Sequence, residues 1–165
     1  MDIIFHPVKV ASDIERVELL AQQILHEHYT PIIGERQVEY MLATFHSKSA
    51  ITAEIVEQNY IYYLMLDGDR GLGYFAVQPA ESTLFLSKLY VLGSERGTGV
   101  GRVAMNAIIE IAEERHLSRI SLTVNKDNEG SIAAYKRFGF VKTGEVVADI
   151  GSGYVMDDYK MELTL

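Results

Sequence analysis

A glycine-rich segment in the middle of the chain has residue types and spacing suited to binding an anion. It follows an apolar strand pattern over 84–91 and reads Arg96-Gly97-Thr98-Gly99-Val100-Gly101-Arg102. Glycines at every second position leave the backbone amides open to a ligand. Helical periodicity follows at once, and the first turn of a helix offers unpaired N–H groups and the positive end of the macrodipole. A strand, a glycine-rich loop and a helix N-terminus in this order favour a phosphate site.

Two common nucleotide-binding motifs do not fit this loop. The P-loop ends in Gly-Lys-Ser or Gly-Lys-Thr, and neither triplet occurs in the chain. The dinucleotide fingerprint needs Gly-x-Gly-x-x-Gly, but Arg102 stands where the third glycine belongs. The pattern that remains is Arg96-x-x-Gly99-x-Gly101. A purely structural strand-to-helix turn is the alternative at this point.

Hydrophobic periodicity predicts the elements that position the loop. A first strand is expected over 3–10, with Pro7 indicating a sheet edge. A helix with an N-cap at Ser12-Asp13 should end at Tyr29-Thr30-Pro31. Two further helices are expected, one from Glu35 and a weaker one after residues 47–49.

The rest of the chain alternates strands with two helices. Residues 61–91 predict an antiparallel meander, and 83–124 predict strand, loop, helix and parallel strand. A short helix should run from Ser131 to about Phe138, ended by Gly139, before two final strands. The pattern predicts one α/β domain over 1–165 with a mixed sheet.

A second motif lies after the parallel strand, in register with the glycine loop. It reads Leu122-Thr123-Val124-Asn125-x-x-Asn128-x-x-Ser131-x-x-x-Tyr135-x-x-x-Gly139-Phe140. With the loop, which fits Gln/Arg-x-x-Gly-x-Gly/Ala, it resembles the GCN5-related N-acetyltransferase (GNAT) superfamily. The resemblance covers essentially the whole chain. It implies a single-domain, largely antiparallel mixed sheet with a central parallel strand pair, flanked by helices.

The resemblance also implies a cosubstrate, acetyl-CoA, and residues that hold it. The amides of residues 97–102 would bind the pyrophosphate, with Arg96 adding positive charge. Leu89, Tyr90 and Val91 would pair with the pantetheine arm and donate an N–H to the thioester oxygen. Asn128 would contact the pantetheine or phosphate arm, although it could equally serve only as a helix cap. No metal is implied.

Tyr135 matches the tyrosine that stands near the CoA sulfur in this family. The resemblance implies that its phenol protonates the leaving thiolate during direct transfer of the acetyl group to an amine, without an acyl-enzyme. The other interpretation is that Tyr135 is an aromatic packing residue. The acceptor amine must lose a proton before it attacks, because alkylamines have a pKa near that of lysine, about 10.4. The base stays open among Glu81, Ser87, Asp157, Asp158 and His28.

The acceptor is less well defined than the cosubstrate. The family resemblance points to Tyr29 and Tyr154 as substrate-binding residues, although both could simply pack. His26 and His28 do not share a helix face, so a zinc site is not expected. The layout looks most like bacterial spermidine/spermine-type acetyltransferases, which implies a polyamine or another small cationic amine. The alternatives are a protein amine, or a CoA-binding sensor without turnover.

The charge balance argues against one class of partner and is compatible with a cationic acceptor, although an acidic surface that only confers solubility is the alternative. The net charge is −8, with 23 acidic and 15 basic residues, which disfavours nucleic acid and suits a cationic acceptor. No apolar run is long enough for a membrane span, and the start of the chain does not resemble a signal peptide. The chain has no cysteine. We expect a cytoplasmic protein that does not bind membranes; a homodimer stays open.

Overall fold

The computed structural model describes residues 1–165, which form seven strands, five α-helices and one short 3-10 turn. The strands are β1 (Ile3–Pro7), β2 (Ile61–Asp67), β3 (Arg70–Ala80), β4 (Thr83–Val91), β5 (Arg119–Asn125), β6 (Val141–Gly151) and β7 (Tyr154–Thr164). The helices are α1 (Ala11–Ile33), α2 (Glu35–Phe45), α3 (Lys48–Glu57), α4 (Val100–Glu114) and α5 (Glu129–Phe138). The 3-10 turn spans Gly93–Glu95.

The strands form one mixed sheet in the order β1-β2-β3-β4-β5-β7-β6. The pairs β1–β2, β2–β3, β5–β7 and β6–β7 are antiparallel. The pair β4–β5 is parallel, and its ladder joins Thr83–Phe85 to Arg119–Ser121. The predicted α/β fold with a central parallel pair is confirmed, as is the edge position of β1. No helix combines the length and the low polarity needed to cross a membrane.

The chain divides into two compact units. The first unit comprises residues 1–78 and 87–108, and the second comprises 79–86 and 109–165. The prediction of a single domain over 1–165 stays a prediction.

Both faces of the strands in the first unit are covered by helices. On one face, residues of α1, α2 and α3 such as Val17, Leu42 and Ile51 pack against Leu64 and Tyr74 of β2 and β3. On the other face, Val100 and Ala104 of α4 pack against Met65 and Leu72, joined by Leu89 and Val91 of β4. Successive residues of a strand point to opposite faces, so β4 contributes alternately to both layers.

Three local predictions around α1 are wrong. The N-cap is Val10 and not Ser12-Asp13; Asp13 lies at the third helical position, where its carboxylate accepts hydrogen bonds from the N–H groups of Lys9 and Val10. The helix also continues through Pro31 to Ile33. Pro31 stands only two residues from the helix end, and Gly34 closes the helix with a 3.0 Å bond from its N–H to the carbonyl of Thr30. The first strand ends at Pro7, earlier than expected.

Candidate active site

The glycine loop begins beyond the end of β4, as predicted. Gly97 and Gly99 have φ values of 77° and 93°, a conformation that residues with a Cβ rarely adopt. A Cβ built on Gly97, Gly99 or Gly101 would meet no atom within 4 Å, so the loop faces open space. The first turn of α4 follows directly, and the N–H of Val103 bonds to the carbonyl of Gly99 at 3.1 Å. The loop therefore presents an accessible helix N-terminus, as an anion site requires.

An ion pair between a buried carboxylate and an exposed guanidinium holds the start of the loop. Glu95 in the 3-10 turn is 8% exposed and pairs with Arg70 of β3. This contact raises the pKa of the Arg70 guanidinium, chiefly through the hydrogen bond to Glu95 and next through that to Asp67. The carbonyl of Glu95 also accepts a hydrogen bond from the Thr98 hydroxyl. The sequence analysis missed Glu95 because its partner lies on another strand.

The residues of β4 that are predicted to bind the cosubstrate are the last three of this strand, just before the loop. Leu89 and Val91 pack toward α4, whereas Tyr90 packs toward the layer of α1, α2 and α3. Arg96 is exposed, and its guanidinium reaches the carbonyl of Val91 at 3.5 Å. Their predicted role in binding the cosubstrate stays a prediction.

Gly73 of β3 allows β4 to come unusually close. A Cβ at this position would lie 2.1 Å from the carbonyl oxygen of Tyr90 and 3.0 Å from the Cα of Val91. Glycine inside a strand often marks such a close approach. A glycine inside a predicted strand is therefore the sequence signal for this close approach.

A cavity of about 710 Å³ lies between α1 and α2 of the first unit. Its lining contains three carboxylates, two imidazoles and no lysine or arginine: Glu18, Gln22, Gln23, His26, Glu27, Glu39, Leu42, Ala43, His46 and Ser47. Glu39 forms a 2.9 Å ion pair with His26. The cavity is thus acidic and attracts a cation.

The cavity reaches toward the end of β4. His46 is 3% exposed, and its ring lies 5.9 Å from that of Tyr90, with Nδ1 3.5 Å from the Tyr74 hydroxyl. The predicted substrate residue Tyr29 also packs edge-on against Tyr90, at 6.2 Å between ring centroids. A Cβ built on Gly93 would lie 3.1 Å from the Glu27 carboxylate. Burial, and next the charge of Lys88, hold the pKa of His46 well below its usual value, so the ring is neutral.

The second unit carries the other predicted site residues, around the start of α5. Asn128 is 4% exposed and stands at the N-cap of α5, yet its side chain makes no capping hydrogen bond. Its role as a side-chain cap is therefore excluded. Its N–H instead donates to the carbonyl of Asn125 at 3.0 Å, and the Asn125 side chain accepts from the N–H of Asp127 at 2.9 Å.

Tyr135 lies on α5 and is half-buried, with its ring 5.6 Å from that of the buried Phe140. Gly139 ends the helix with φ 104°, which confirms the predicted C-terminal glycine and turns the chain so that Phe140 donates its N–H to the carbonyl of Tyr135. This contact fixes the ring while leaving part of the side chain exposed. Tyr154, the other predicted substrate residue, begins β7 beside the Gly151–Gly153 turn.

Comparisons with known proteins agree with this geometry. The sequence profile of the acetyltransferase (GNAT) family matches residues 22–140, which include the loop and the Asn128–Tyr135 motif. The chain belongs to this family. GNAT acetyltransferases use acetyl-CoA as their cosubstrate, and the open loop at the N-terminus of α4 fits its phosphates.

The relatives are all named as N-acetyltransferases, but only one of the names below states an acceptor. The chain is 25% identical over 99 residues to the putative ribosomal protein bS18-alanine N-acetyltransferase of Bacillus subtilis, covering 59% of this chain and 66% of that protein. It is 25% identical over 95 residues to N-acetyltransferase 8 of Mus musculus, covering 54% of this chain and 42% of that protein. The structure of the PaiA N-acetyltransferase of Thermoplasma acidophilum in complex with coenzyme A superposes over the full length of both chains, with a TM-score of 0.82 and 18% identity.

Proposed function

We propose that this protein transfers the acetyl group of acetyl-CoA directly to a primary amine of a small cationic molecule such as a polyamine. The observation that carries the proposal is the open glycine loop between β4 and α4. Acetyl-CoA would supply the activated acetyl thioester. The amides of residues 97–102 would hold its pyrophosphate, with Arg96 and Arg102 adding positive charge, and Asn128 would contact its phosphate or pantetheine arm.

The end of β4 would bind the extended part of the cosubstrate. The parallel ladder joins β4 to β5 only through Thr83–Phe85, so Leu89, Tyr90 and Val91 lie beyond it. Their backbone groups can then pair with an extended chain in the manner of an added strand. An N–H of this segment would stabilise the negative charge that develops on the acetyl oxygen.

Tyr135 would protonate the leaving thiolate. A phenol with a pKa near 10 keeps its proton at neutral pH and can give it to a forming sulfur anion. The packing of Tyr135 on Phe140 supports this role because it fixes the ring without burying it completely.

The acidic cavity between α1 and α2 supports a cationic acceptor. Glu18, Glu27 and Glu39 line it, and its inner end meets Tyr90 through His46. A long amine with several charges would place its distal ammonium groups among these carboxylates, and Tyr29 would help to orient it. A flexible protein N-terminus is the second candidate acceptor, because the name of the Bacillus subtilis relative describes acetylation of an alanine in a ribosomal protein.

The test is an acetyl-transfer assay that measures CoA release with diamines, polyamines, neutral-tailed monoamines and an alanine-starting peptide. We expect turnover with the polyamines, and we expect Tyr135→Phe to lower kcat by about 10²-fold while acetyl-CoA affinity stays within about twofold. The matched control is Tyr154→Phe, since Tyr154 is a proposed acceptor contact and should alter KM instead. Transfer only to the peptide would favour the protein acceptor. Turnover unchanged in Tyr135→Phe would remove this residue from the acid role.

A further inference from the structure

Three charged groups are buried in the protein, and one of them lacks a partner of opposite charge. Lys88 pairs with Glu54 at 3.0 Å, and Glu95 pairs with Arg70. Asp158 of β7 is 7% exposed but forms no ion pair. A buried carboxylate without a cation is costly, so such a group is expected to meet its partner from outside the chain.

One oxygen of the Asp158 carboxylate is unused. The Thr123 hydroxyl hydrogen-bonds to the carboxylate, whereas Oδ1 is fully buried and has no hydrogen-bond partner. The charge of Lys126 acts on Asp158, but its Nζ lies 2.8 Å from Asp157 and 3.7 Å from Glu145. Its charge is therefore already shared between two other carboxylates, and Asp158 keeps an acceptor atom for a further donor.

The surroundings of Asp158 belong to the corner that carries the proposed site residues of the second unit. Asp158 stands opposite Asn125 in the β5–β7 ladder and opposite Val146 in the β6–β7 ladder. The carbonyl of Asn125 accepts the N–H of Asn128, which begins α5, and Tyr135 lies about two turns further along that helix. Asn125, Asn128 and Asp158 thus place three buried polar side chains around one strand-to-helix corner.

We propose that Asp158 receives the ammonium group of the acceptor and acts as the general base of the transfer. This inference rests on the proposed function and selects one residue from the bases that the sequence left open. The proton moves from the ammonium nitrogen to Asp158, and the freed lone pair forms the new C–N bond. The C–S bond breaks and the thiolate takes the proton of Tyr135. The second proton leaves the amide nitrogen to solvent, solvent returns one proton to the Tyr135 phenolate, and Asp158 gives its own proton to solvent, so that one proton is released in total.

The electrostatic setting agrees with this role. Burial raises the pKa of the Asp158 carboxyl, and the neighbouring charge of Asp157 raises it further, whereas the hydrogen bond from Thr123 and the charge of Lys126 oppose the shift. A raised pKa makes the carboxylate a better proton acceptor than an exposed aspartate. The arriving ammonium would in turn supply the positive charge that Asp158 lacks.

The test compares Asp158→Asn with Asp157→Asn in the full chain. Asp157 is the adjacent residue, about half exposed and paired with Lys126, so its variant controls for lost negative charge on the same strand. Each variant is assayed with the acceptor found for the wild type, from pH 7 to 9, alongside acetyl-CoA affinity. We expect Asp158→Asn to lose about 10²-fold or more in kcat/KM at pH 7 and to keep its affinity for acetyl-CoA.

The pH profile separates a base from a merely structural residue. Without the base, only the amine molecules that are already neutral react. The rate of Asp158→Asn should therefore rise about tenfold per pH unit below the pKa of the amine. The rate of the wild type should depend less steeply on pH. Asp158→Asn rates within threefold of Asp157→Asn, with the same profile, would overturn the inference while leaving the proposed function intact. A wild type inactive on every amine would overturn both. If Asp158→Asn does not bind acetyl-CoA, Asp158→Ala with added formate replaces it, and absence of rescue counts against the inference.

Discussion

Replacing Gly73 by alanine tests whether the position of β4 controls catalysis. A Cβ at residue 73 would lie 2.1 Å from the carbonyl oxygen of Tyr90, which is 0.9 Å short of the 3.0 Å that real Cβ atoms keep. The obstructing atom belongs to the backbone, so no side-chain rotation relieves the contact. The end of β4 must move away from β3 by about an ångström.

This shift should affect both stability and activity. Overpacking a well-packed region typically costs about 1–3 kcal/mol, so Gly73→Ala should unfold more easily. The segment that moves, residues 89–91, is the one proposed to hold the thioester. A misplacement of about 1 Å in a reacting group can lower the rate by about 10²-fold. We therefore expect kcat to fall by about that factor.

The control is Gly71→Ala on the same strand. A Cβ there would lie 3.3 Å from Cδ1 of Leu20, a flexible side chain that can yield by a few tenths of an ångström. Both variants are measured by denaturant unfolding, acetyl-CoA affinity and CoA release at saturating acceptor. Gly73→Ala with wild-type kcat and affinity would refute the reasoning, because it would show that displacement of β4 at Tyr90 does not disturb the reacting groups.

Two further predictions concern the acidic cavity. The buried His46 has a folded-state pKa well below its unfolded value of about 6.5, so only the unfolded state gains a proton as the pH falls through 6.5. The contribution of His46 to the free energy of unfolding is therefore fully present above that pH, and about 1 kcal/mol of it is lost between pH 7 and 5.5. In urea unfolding, His46→Gln should reduce the dependence of the free energy of unfolding on pH over this range. An unchanged pH dependence would contradict the assignment. Glu39→Gln should raise the KM for a polyamine about two- to fivefold, as expected for the loss of an exposed charge. The kcat with the polyamine and the KM for a neutral-tailed monoamine should not change. Glu57→Gln on α3 is the matched control, and an equal effect there would show that general surface charge is responsible.

The features that the sequence predicted well depend on local chemistry. The glycine loop, the helix that follows and the parallel β4–β5 pair were all recognised from spacing. Gly139 was placed correctly because a helix-ending glycine needs only the residues around it, and it has φ 104°. The loop and Gly139 depend on neighbouring residues only, whereas the β4–β5 pair joins residues 36 positions apart and follows from the strand-helix-strand order of the chain.

Other features depend on contacts distant in sequence. Helices usually end before a proline, but α1 continues through Pro31, and Tyr29 and Ile33 on either side of it pack against the core. The pair of the buried Glu95 with the exposed Arg70 joins residues 25 positions apart. Asp158 was one of five possible bases in the sequence, and only its burial and unpaired oxygen distinguish it from Asp157. The sequence alone does not distinguish two adjacent aspartates, whereas the alternation of side chains along β7 buries one and exposes the other.

The alternation of β4 also connects the strand segment proposed to hold the cosubstrate with the cavity proposed to hold the acceptor. Leu89 and Val91 face α4, whereas Lys88 and Tyr90 face the opposite layer. The buried Lys88 donates 3.0 Å hydrogen bonds to Glu54 of α3 and to the carbonyl of Phe45, the last residue of α2. His46 follows Phe45 directly and packs against Tyr90 while lining the acidic cavity. The strand whose backbone is proposed to hold the thioester therefore fixes, through its side chains, the helix end that shapes the acceptor cavity. A displacement of this part of β4 is therefore expected to affect both proposed binding surfaces.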